Sequence, residues 1–189
     1  MLPYLLASLP SPRLGETPET DPDAFLDTCG RFLGDDRAQE LAAALGRDAA
    51  PSRAGGASAA ARAWSELAAH VNDEIVRHRC ARVGRDPAPH LQRPAGVRVD
   101  VRTGVREAFE APNPAARERA LDALRWRLAD ELAATEPLGA AALVARAVQL
   151  GIAWRWAGWD ADAGWATLEA HLRRIEQDAT GEASEAAGG

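Results

Sequence analysis

The chain has 189 residues, of which 47% are apolar and 26% are charged, and its formal net charge is −6. This length and composition are typical of a globular protein with a hydrophobic core, and they exclude wholesale disorder. All 22 basic residues are arginine, which excludes mechanisms that need a lysine, such as Schiff-base chemistry or a Walker-type phosphate loop.

The cysteines and the first residues indicate the compartment. Cys29 and Cys80 lie far apart in the chain and are expected to be reduced, buried thiols. The first ten residues contain a short apolar run with no basic region before it, so they do not predict a signal peptide. We therefore expect a cytoplasmic protein, whose contact with a membrane would be peripheral and made through a partner complex.

The first 47 residues predict a small helical lobe. Residues 4–9 are apolar and lie between two prolines, which predicts an extended segment or a single turn buried against helices. Asp21 is a good N-cap for a helix that ends at Gly34. Asp35 is expected to cap a second short helix that runs through Leu45.

A connector at residues 48–57 is rich in glycine, alanine and serine and is expected to separate this lobe from a main bundle at 58–177. Short connections should make sequential helices antiparallel. Residues 178–189 predict a disordered tail. The long helices of the bundle are predicted at 58–83, 114–133, 138–157 and 160–177.

The helix at 138–157 is the element around which the bundle is expected to form. It is apolar on nearly every side of a 3.6-residue repeat, and only Arg146, Gln149 and Arg155 interrupt it. An arginine near the centre of a bilayer costs about 2.5–3.5 kcal/mol on insertion scales. We therefore interpret this helix as the core of a soluble protein and expect no direct membrane insertion.

One segment alternates between apolar and polar residues, as a β-strand does. Val97, Val99 and Val101 are separated by polar residues, but no second strand-like pattern exists to pair with them. Irregular structure or an edge ribbon is expected here, followed by a short helix at 105–111. The fold class predicted for the whole chain is therefore all-α: a helical bundle of about seven helices with a small N-terminal helical lobe.

His70, Glu74 and His78 share one face of a predicted helix and are the strongest metal-ligand pattern. The outer two residues start about 12 Å apart along the helix, which is too far for all three to bind one small ion. We interpret this face as solvated, with local ion pairs, and predict no metal. The chain also has no glycine-rich phosphate loop and no GxSxG motif, so no catalytic residue and no cofactor are predicted.

The distribution of charge is uneven. Residues 77–106 hold eight arginines against two aspartates, a formal balance of +6, so the rest of the chain carries −12. Such a segment predicts a surface that docks on an acidic protein partner, although a merely solvated helix end is the alternative. No aromatic residues are interleaved with the arginines, and we expect no nucleic-acid binding. The predicted partner-binding arginines are Arg77, Arg79, Arg82, Arg85, Arg98, Arg102 and Arg106.

Tryptophans cluster near the end of the helix at 138–157. Trp154 fits the core, whereas Trp156 and Trp159 fall on other faces and are expected to be partly exposed. Exposed aromatic residues often anchor interfaces, so Trp156 and Trp159 are also predicted to bind a partner. Plain packing between two helices is the alternative.

Five segments, spread over almost the whole chain, form a pattern when they are taken in order. They are YLLASLP at 4–10, DPDAFLDTC at 21–29, VNDEIVRHRCARVGRDP at 71–87, NPAARERALDALRWRLADEL at 113–132, and the run that ends in Arg155 and Trp156. Together they resemble a bacterial family of unknown function whose genes lie within operons for the V/A-type ATPase. The chain departs from the pattern of that family at 135–142, where it reads TEPLGAAA.

The resemblance implies a non-catalytic structural or assembly subunit of a rotary ATPase, and so a part in proton transport. Its implied partners are V/A-type ATPase subunits. An all-helical operon product of this kind is similar to the funnel-shaped central-stalk subunit that couples the soluble motor to the membrane ring, and this chain would be a much shortened counterpart of it. Two alternatives stay open: a helical protein-interaction adaptor unrelated to the ATPase, and a metal-dependent helical-bundle hydrolase that uses the face of His70, Glu74 and His78.

Overall fold

The computed structural model describes residues 2–47, 57–92, 96, 98–159 and 173–174. Within residues 2–159 the described positions form seven α-helices, and no strand occurs among them. Residues 173–174 are also helical. The predicted all-α bundle is confirmed. The helices are α1 (Leu2–Ser8), α2 (Pro22–Leu33), α3 (Asp35–Ala44), α4 (Ala59–Val83), α5 (Val99–Phe109), α6 (Pro114–Thr135) and α7 (Ala140–Ala157), with a 3₁₀ turn at Ala88–His90.

Side-chain caps define three helix starts. Asp21, Ser58 and Asn113 each accept a hydrogen bond from the backbone N–H three residues later, at 2.9, 3.1 and 2.8 Å. Each bond satisfies an amide that has no partner within its own helix. The predicted cap at Asp35 is wrong, because Gly34 is the N-cap of α3 and Asp35 is its first helical residue. Gly34 has a φ of 86°, which glycine adopts without strain, so one residue ends α2 and begins α3.

The N-terminal apolar run is a helix, and the predicted extended segment or single turn is wrong. Pro3 lies in the first turn of α1, where the N–H that proline lacks would have no helical partner. Leu5, Leu6 and Leu9 are buried, as predicted for this segment. Their spacing places them on one helical face, and packing against α7 stabilises a helix too short to form alone.

The valine-rich segment is also helical, so the predicted irregular structure or edge ribbon is wrong from Val99 onward. Val101, Val105 and Ala108 are buried at helical spacing, whereas Val99 is 73% exposed. A few alternating valines are too short a sample to distinguish a period of 2 from one of 3.6. The apolar residues one and two turns later decide in favour of a helix. Val97 lies outside the described residues.

The helix α7 is the centre of the described bundle, as predicted. Ten of its eighteen residues are buried. It packs against α6 over most of its length and also contacts the N-terminal helices and α4. Within the described ranges, none of the helices combines the length and the apolar character that a bilayer-crossing segment needs.

The N-terminal helices share a hydrophobic cluster with α7. Leu5, Phe25, Cys29 and Leu41 lie in this cluster together with buried residues such as Leu143. A second cluster joins α4, α5 and α6. The predicted division into a lobe at 1–47 and a bundle at 58–177 stays a prediction. Most of the predicted connector (48–56) and nearly all of the predicted last helix and tail lie outside the described residues.

Candidate protein-binding surface

The predicted arginine segment covers the last two turns of α4, the following loop and most of α5. After this loop, α5 runs alongside α4 in the same direction. Arg102 reaches Glu74 on α4, and seven residues later the ring centroid of Phe109 lies 4.0 Å from that of His78. The arginines of α4 and α5 therefore lie on neighbouring surfaces.

Two of the predicted arginines neutralise a nearly buried carboxylate. Glu74 is only 7% exposed. Its two oxygens lie 2.9 Å from Arg77 Nη1 and 3.5 Å from Arg102 Nε. A buried carboxylate needs such partners, because its ionised form is costly away from water. Arg102 therefore links α5 to α4, and Arg77 completes the pairing of Glu74 within α4.

This geometry corrects the interpretation of the face that carries His70, Glu74 and His78. The predicted local ion pair is present, but the face is not fully solvated, because Glu74 is nearly buried. Both Glu74 oxygens are engaged by arginines, so this carboxylate is not free to bind a cation. Within the described part of the chain, no group of three or more His, Cys, Asp or Glu side chains is placed to hold a metal ion.

A third predicted arginine, Arg98, links the start of α5 to the end of α6. It lies 2.6 Å from Asp100 and 3.1 Å from Glu131. The hydrogen bond with Asp100 raises the pKa of Arg98, and the same bond lowers the pKa of Asp100. Both groups are therefore charged at neutral pH, and Arg98 acts within the fold.

The other four predicted arginines are free to meet a partner. Arg79, Arg82, Arg85 and Arg106 are exposed, and their side chains form no ion pair or hydrogen bond with any part of the chain that is described. The first three lie on the last turns of α4 and just after it, and Arg106 lies one turn before Phe109 on the adjacent α5. We call these four residues the arginine patch.

The loop that carries Arg85 is anchored to α4 at a position before the patch. The backbone N–H of Gln92 donates to Asp73 Oδ1 at 2.8 Å. Asp73 lies on α4 and is fully buried. The loop is thereby held along α4, and the C-terminal end of that helix adds a partial negative charge that favours nearby cations.

Trp156 and Trp159 form the second predicted surface, and the structure brings them together. Their ring centroids are 5.5 Å apart in an edge-to-face arrangement. The guanidinium carbon of Arg119 on α6 lies 4.9 Å from the centroid of Trp156 and 5.4 Å from that of Trp159. Trp159 is 49% exposed and Trp156 is partly buried. We call these three residues the tryptophan corner. Sequence reasoning missed Arg119, because only the packing of α6 on α7 brings it there.

A buried carboxylate positions the tryptophan corner. Asp122 on α6 is 1% exposed. Its Oδ2 accepts a hydrogen bond from Trp156 Nε1 at 2.8 Å, while its Oδ1 pairs with Arg125 at 2.9 Å and with Arg155. The two arginines and the indole together satisfy a charge that would be costly to bury alone. Sequence reasoning missed Asp122, although its place beside the leucine face of α6 is a signal of burial.

Comparison with known proteins finds no match for this chain, either to a family model, to a curated protein or to a solved structure.

Proposed function

We propose that this chain is a non-catalytic structural or assembly subunit of a V/A-type rotary ATPase, and a much shortened counterpart of its funnel-shaped central-stalk subunit. Five segments that resemble the ATPase-operon family support this proposal, because they follow one another in the same order over almost the whole chain. The partners would be other ATPase subunits. In this complex the protein would be cytoplasmic and peripheral to the membrane.

The positions of the five segments favour a structural role over a catalytic one. The segments supply packing residues such as Leu5 and Phe25, the buried acids Glu74 and Asp122, and the hydrogen-bonded Trp156. These residues hold helices together and do not converge on one reactive centre. Segments that mainly stabilise the fold suit a structural subunit, because other subunits of the ATPase carry out the nucleotide chemistry.

The arginine patch supports docking on an acidic surface. Arg79, Arg82 and Arg85 lie inside the third matching segment, and Arg106 lies beside them on α5. Four exposed cations without internal partners attract an acidic surface and speed association. By contrast, Arg77, Arg98 and Arg102 are engaged in ion pairs within the fold, so they contribute less to the docking charge.

The test is recovery of partners from native cells with a tagged protein, with co-purifying proteins identified by mass. The variant changes Arg79, Arg82 and Arg106 to glutamate. A matched control changes Arg31, Arg62 and Arg127 to glutamate; these residues are also exposed and lie on α2, near the start of α4 and on α6. We expect ATPase subunits with the unchanged protein and the control, and a loss of about tenfold or more with the patch variant.

Salt provides a second readout of the same surface. Recovery should fall when ionic strength rises from about 0.05 M to about 0.2 M, because the Debye length shortens to below about 10 Å. If no ATPase subunit co-purifies at either salt, the ATPase proposal is wrong and the unrelated adaptor is the better hypothesis. If both triple variants recover the subunits equally, the ATPase role stands but the arginine patch is not the docking site.

A further inference from the structure

A cavity of about 410 Å³ lies between α7 and residues 10–20, the proline-rich segment that joins α1 to α2. Proline rings, Phe25 and Leu150 form the apolar part of its wall. The indole N–H of Trp154 donates to the backbone oxygen of Thr20 at 2.8 Å, which ties the far end of the segment to α7. The wall of the cavity is therefore fixed to α7 at Thr20.

Arg146 of α7 lines this cavity, and its charge has no carboxylate partner within the described residues. Its Nη1 donates to the backbone oxygens of Leu6, Leu9 and Pro10 at 3.3, 2.8 and 3.3 Å. These oxygens lie at the C-terminal end of α1, where carbonyls lack helical partners and carry partial negative charge. They orient the guanidinium, but their partial charges do not cancel its full positive charge, and desolvation lowers the pKa of this group.

The other edge of the guanidinium forms no hydrogen bond with the described residues. The N–H groups on Nε and Nη2 of Arg146 donate to no described group, and neither nitrogen is among the buried unpaired atoms of the described residues. Both are therefore accessible to solvent. This edge presents two parallel N–H bonds, which match the two oxygens of a carboxylate.

The remaining charges of the cavity select the ligand. Arg13 lies 3.7 Å from Glu16, and Glu19 adds one more negative charge to the wall. The lining is formally neutral, with two arginines and two glutamates, and Arg146 is its one cation that no carboxylate of the lining pairs. A monoanion therefore finds one free guanidinium, whereas a dianion such as phosphate would add a second negative charge beside Glu19 with no second free cation. The proline rings and Phe25 can contact a short apolar chain.

We infer that this cavity is a binding site for a monocarboxylate with a short aliphatic portion, held by Arg146. The carboxylate belongs either to a free organic acid or to an acidic side chain or chain terminus of a protein. The site is separate from the arginine patch and from the tryptophan corner, and it does not depend on the ATPase proposal.

The test is a titration of the isotope-labelled protein with sodium butyrate, followed by two-dimensional NMR. We expect shifts confined to the Arg146 Nε–H signal and to residues that line the cavity, with a Kd of about 1–10 mM. Butylammonium has the same chain and the opposite charge, and should cause no such shifts. Arg146→Gln should weaken butyrate binding about tenfold or more, whereas Arg31→Gln on the exposed face of α2 should leave it unchanged.

A second variant keeps the test decisive if Arg146→Gln fails to fold. Glu19→Gln removes a negative charge from an exposed residue of the wall, and it should tighten butyrate binding about two- to threefold at low salt. Equal shifts with butylammonium, an unchanged Kd in both variants, or no shifts at about 50 mM butyrate would overturn the inference.

The source of the carboxylate is distinguished by a second ligand. A blocked peptide, acetyl-Ala-Glu-Leu-amide, carries its only carboxylate on a side chain. Tighter binding of the peptide than of butyrate would assign the site to a protein partner, and binding of butyrate alone would assign it to a free acid. The titration uses the purified protein by itself, so its failure is distinct from a failure to recover ATPase subunits.

Discussion

The two sides of α7 are held by different physical means. Towards α6 an apolar cluster that includes Ala129 and Val148 is accompanied by directional polar contacts: Trp156 donates to the buried Asp122, and Gln149 donates to Asp130 at 2.6 Å. Towards α1, α2 and α3 the contacts are apolar, through residues such as Phe25 and Cys29. On this second side the fold engages a charged group of α7 only at Arg146, which meets carbonyl oxygens and no acid within the described residues.

Because of this difference, one side of α7 fixes its register and the other side leaves a charge available to a ligand. The hydrogen bonds to Asp122 and Asp130 link α6 to α7 at two points, and antiparallel helices joined at two points cannot slide past each other. Apolar packing is less directional, so on the other side shape sets the distance between helices. A charge that the fold has fully paired serves structure, and a charge that it leaves uncompensated is available to a ligand.

The largest effect should follow from Asp122→Ala. The change leaves Arg125 and Arg155 without their carboxylate and Trp156 without its acceptor, and we expect a loss of about 3–5 kcal/mol in the free energy of unfolding. Urea denaturation measures it. Asp130→Ala on the exposed face of the same helix should cost less than about 1 kcal/mol. Equal losses of unfolding free energy in the two variants would show that the buried Asp122 does not stabilise the contact between α6 and α7.

Trp156→Phe should have the next largest effect. Phenylalanine keeps an aromatic ring but loses the N–H that donates to Asp122, a hydrogen bond to a charged group. We expect a loss of about 1.5–3 kcal/mol by the same denaturation. Trp159→Phe, at the exposed ring of the corner, should change stability by less than about 0.5 kcal/mol. The reverse order of the two variants would contradict the role given to Asp122.

Gly151→Ala should instead disturb the packing on the apolar side of α7. A Cβ at this position would lie 2.4 Å from the backbone oxygen of Leu45, and backbone cannot move aside as a flexible side chain can. We expect a net loss of about 1–2 kcal/mol, after the gain that alanine brings in helix propensity. Gly158→Ala is the matched control, because its Cβ would meet only ordinary contacts at 3.7 Å. No loss at Gly151 would mean that α3 and α7 can separate without cost.

The smallest effect concerns pH. Burial raises the pKa of the Cys29 thiol from its ordinary value of 9.0 to about 11. The folded protein holds this proton more tightly than the unfolded chain, so the stabilisation is fully present below pH 9 and is lost as pH rises towards 11. We expect a loss of about 1 kcal/mol by about pH 10, which Cys29→Ala should abolish and Cys80→Ala should not. Parallel pH profiles for the unchanged protein and Cys29→Ala would contradict the assignment.

Local signals in the sequence predicted much of the fold. Asp21, Ser58 and Asn113 cap the helices that their positions predict, because a cap is a contact between residues three apart. The apolar circumference of α7 likewise predicted its central place. The errors at α1 and α5 came from segments too short for periodicity to be decisive, where burial against another helix determines the conformation.

The candidate site was less predictable. An excess of arginine at 77–106 is visible in the sequence, but its division into paired and free side chains is not. Arg77 meets Glu74 one turn away on α4, but Arg102 reaches Glu74 only because α5 lies along α4, and Arg98 reaches Glu131 because α6 packs on α5. Of the predicted arginines, those of the patch stay exposed for the opposite reason: within the described structure no acidic side chain reaches them.

The sequence by itself determined the all-α class, the caps and the central helix, because these depend on neighbours within about one helical turn. Only the tertiary structure decided which charges are paired between helices. Asp122 receives donors from two helices, while Arg146 receives only the carbonyl oxygens at the end of α1. The physical reason is that charge pairing between helices depends on distances in space, which the spacing of residues along the chain does not determine.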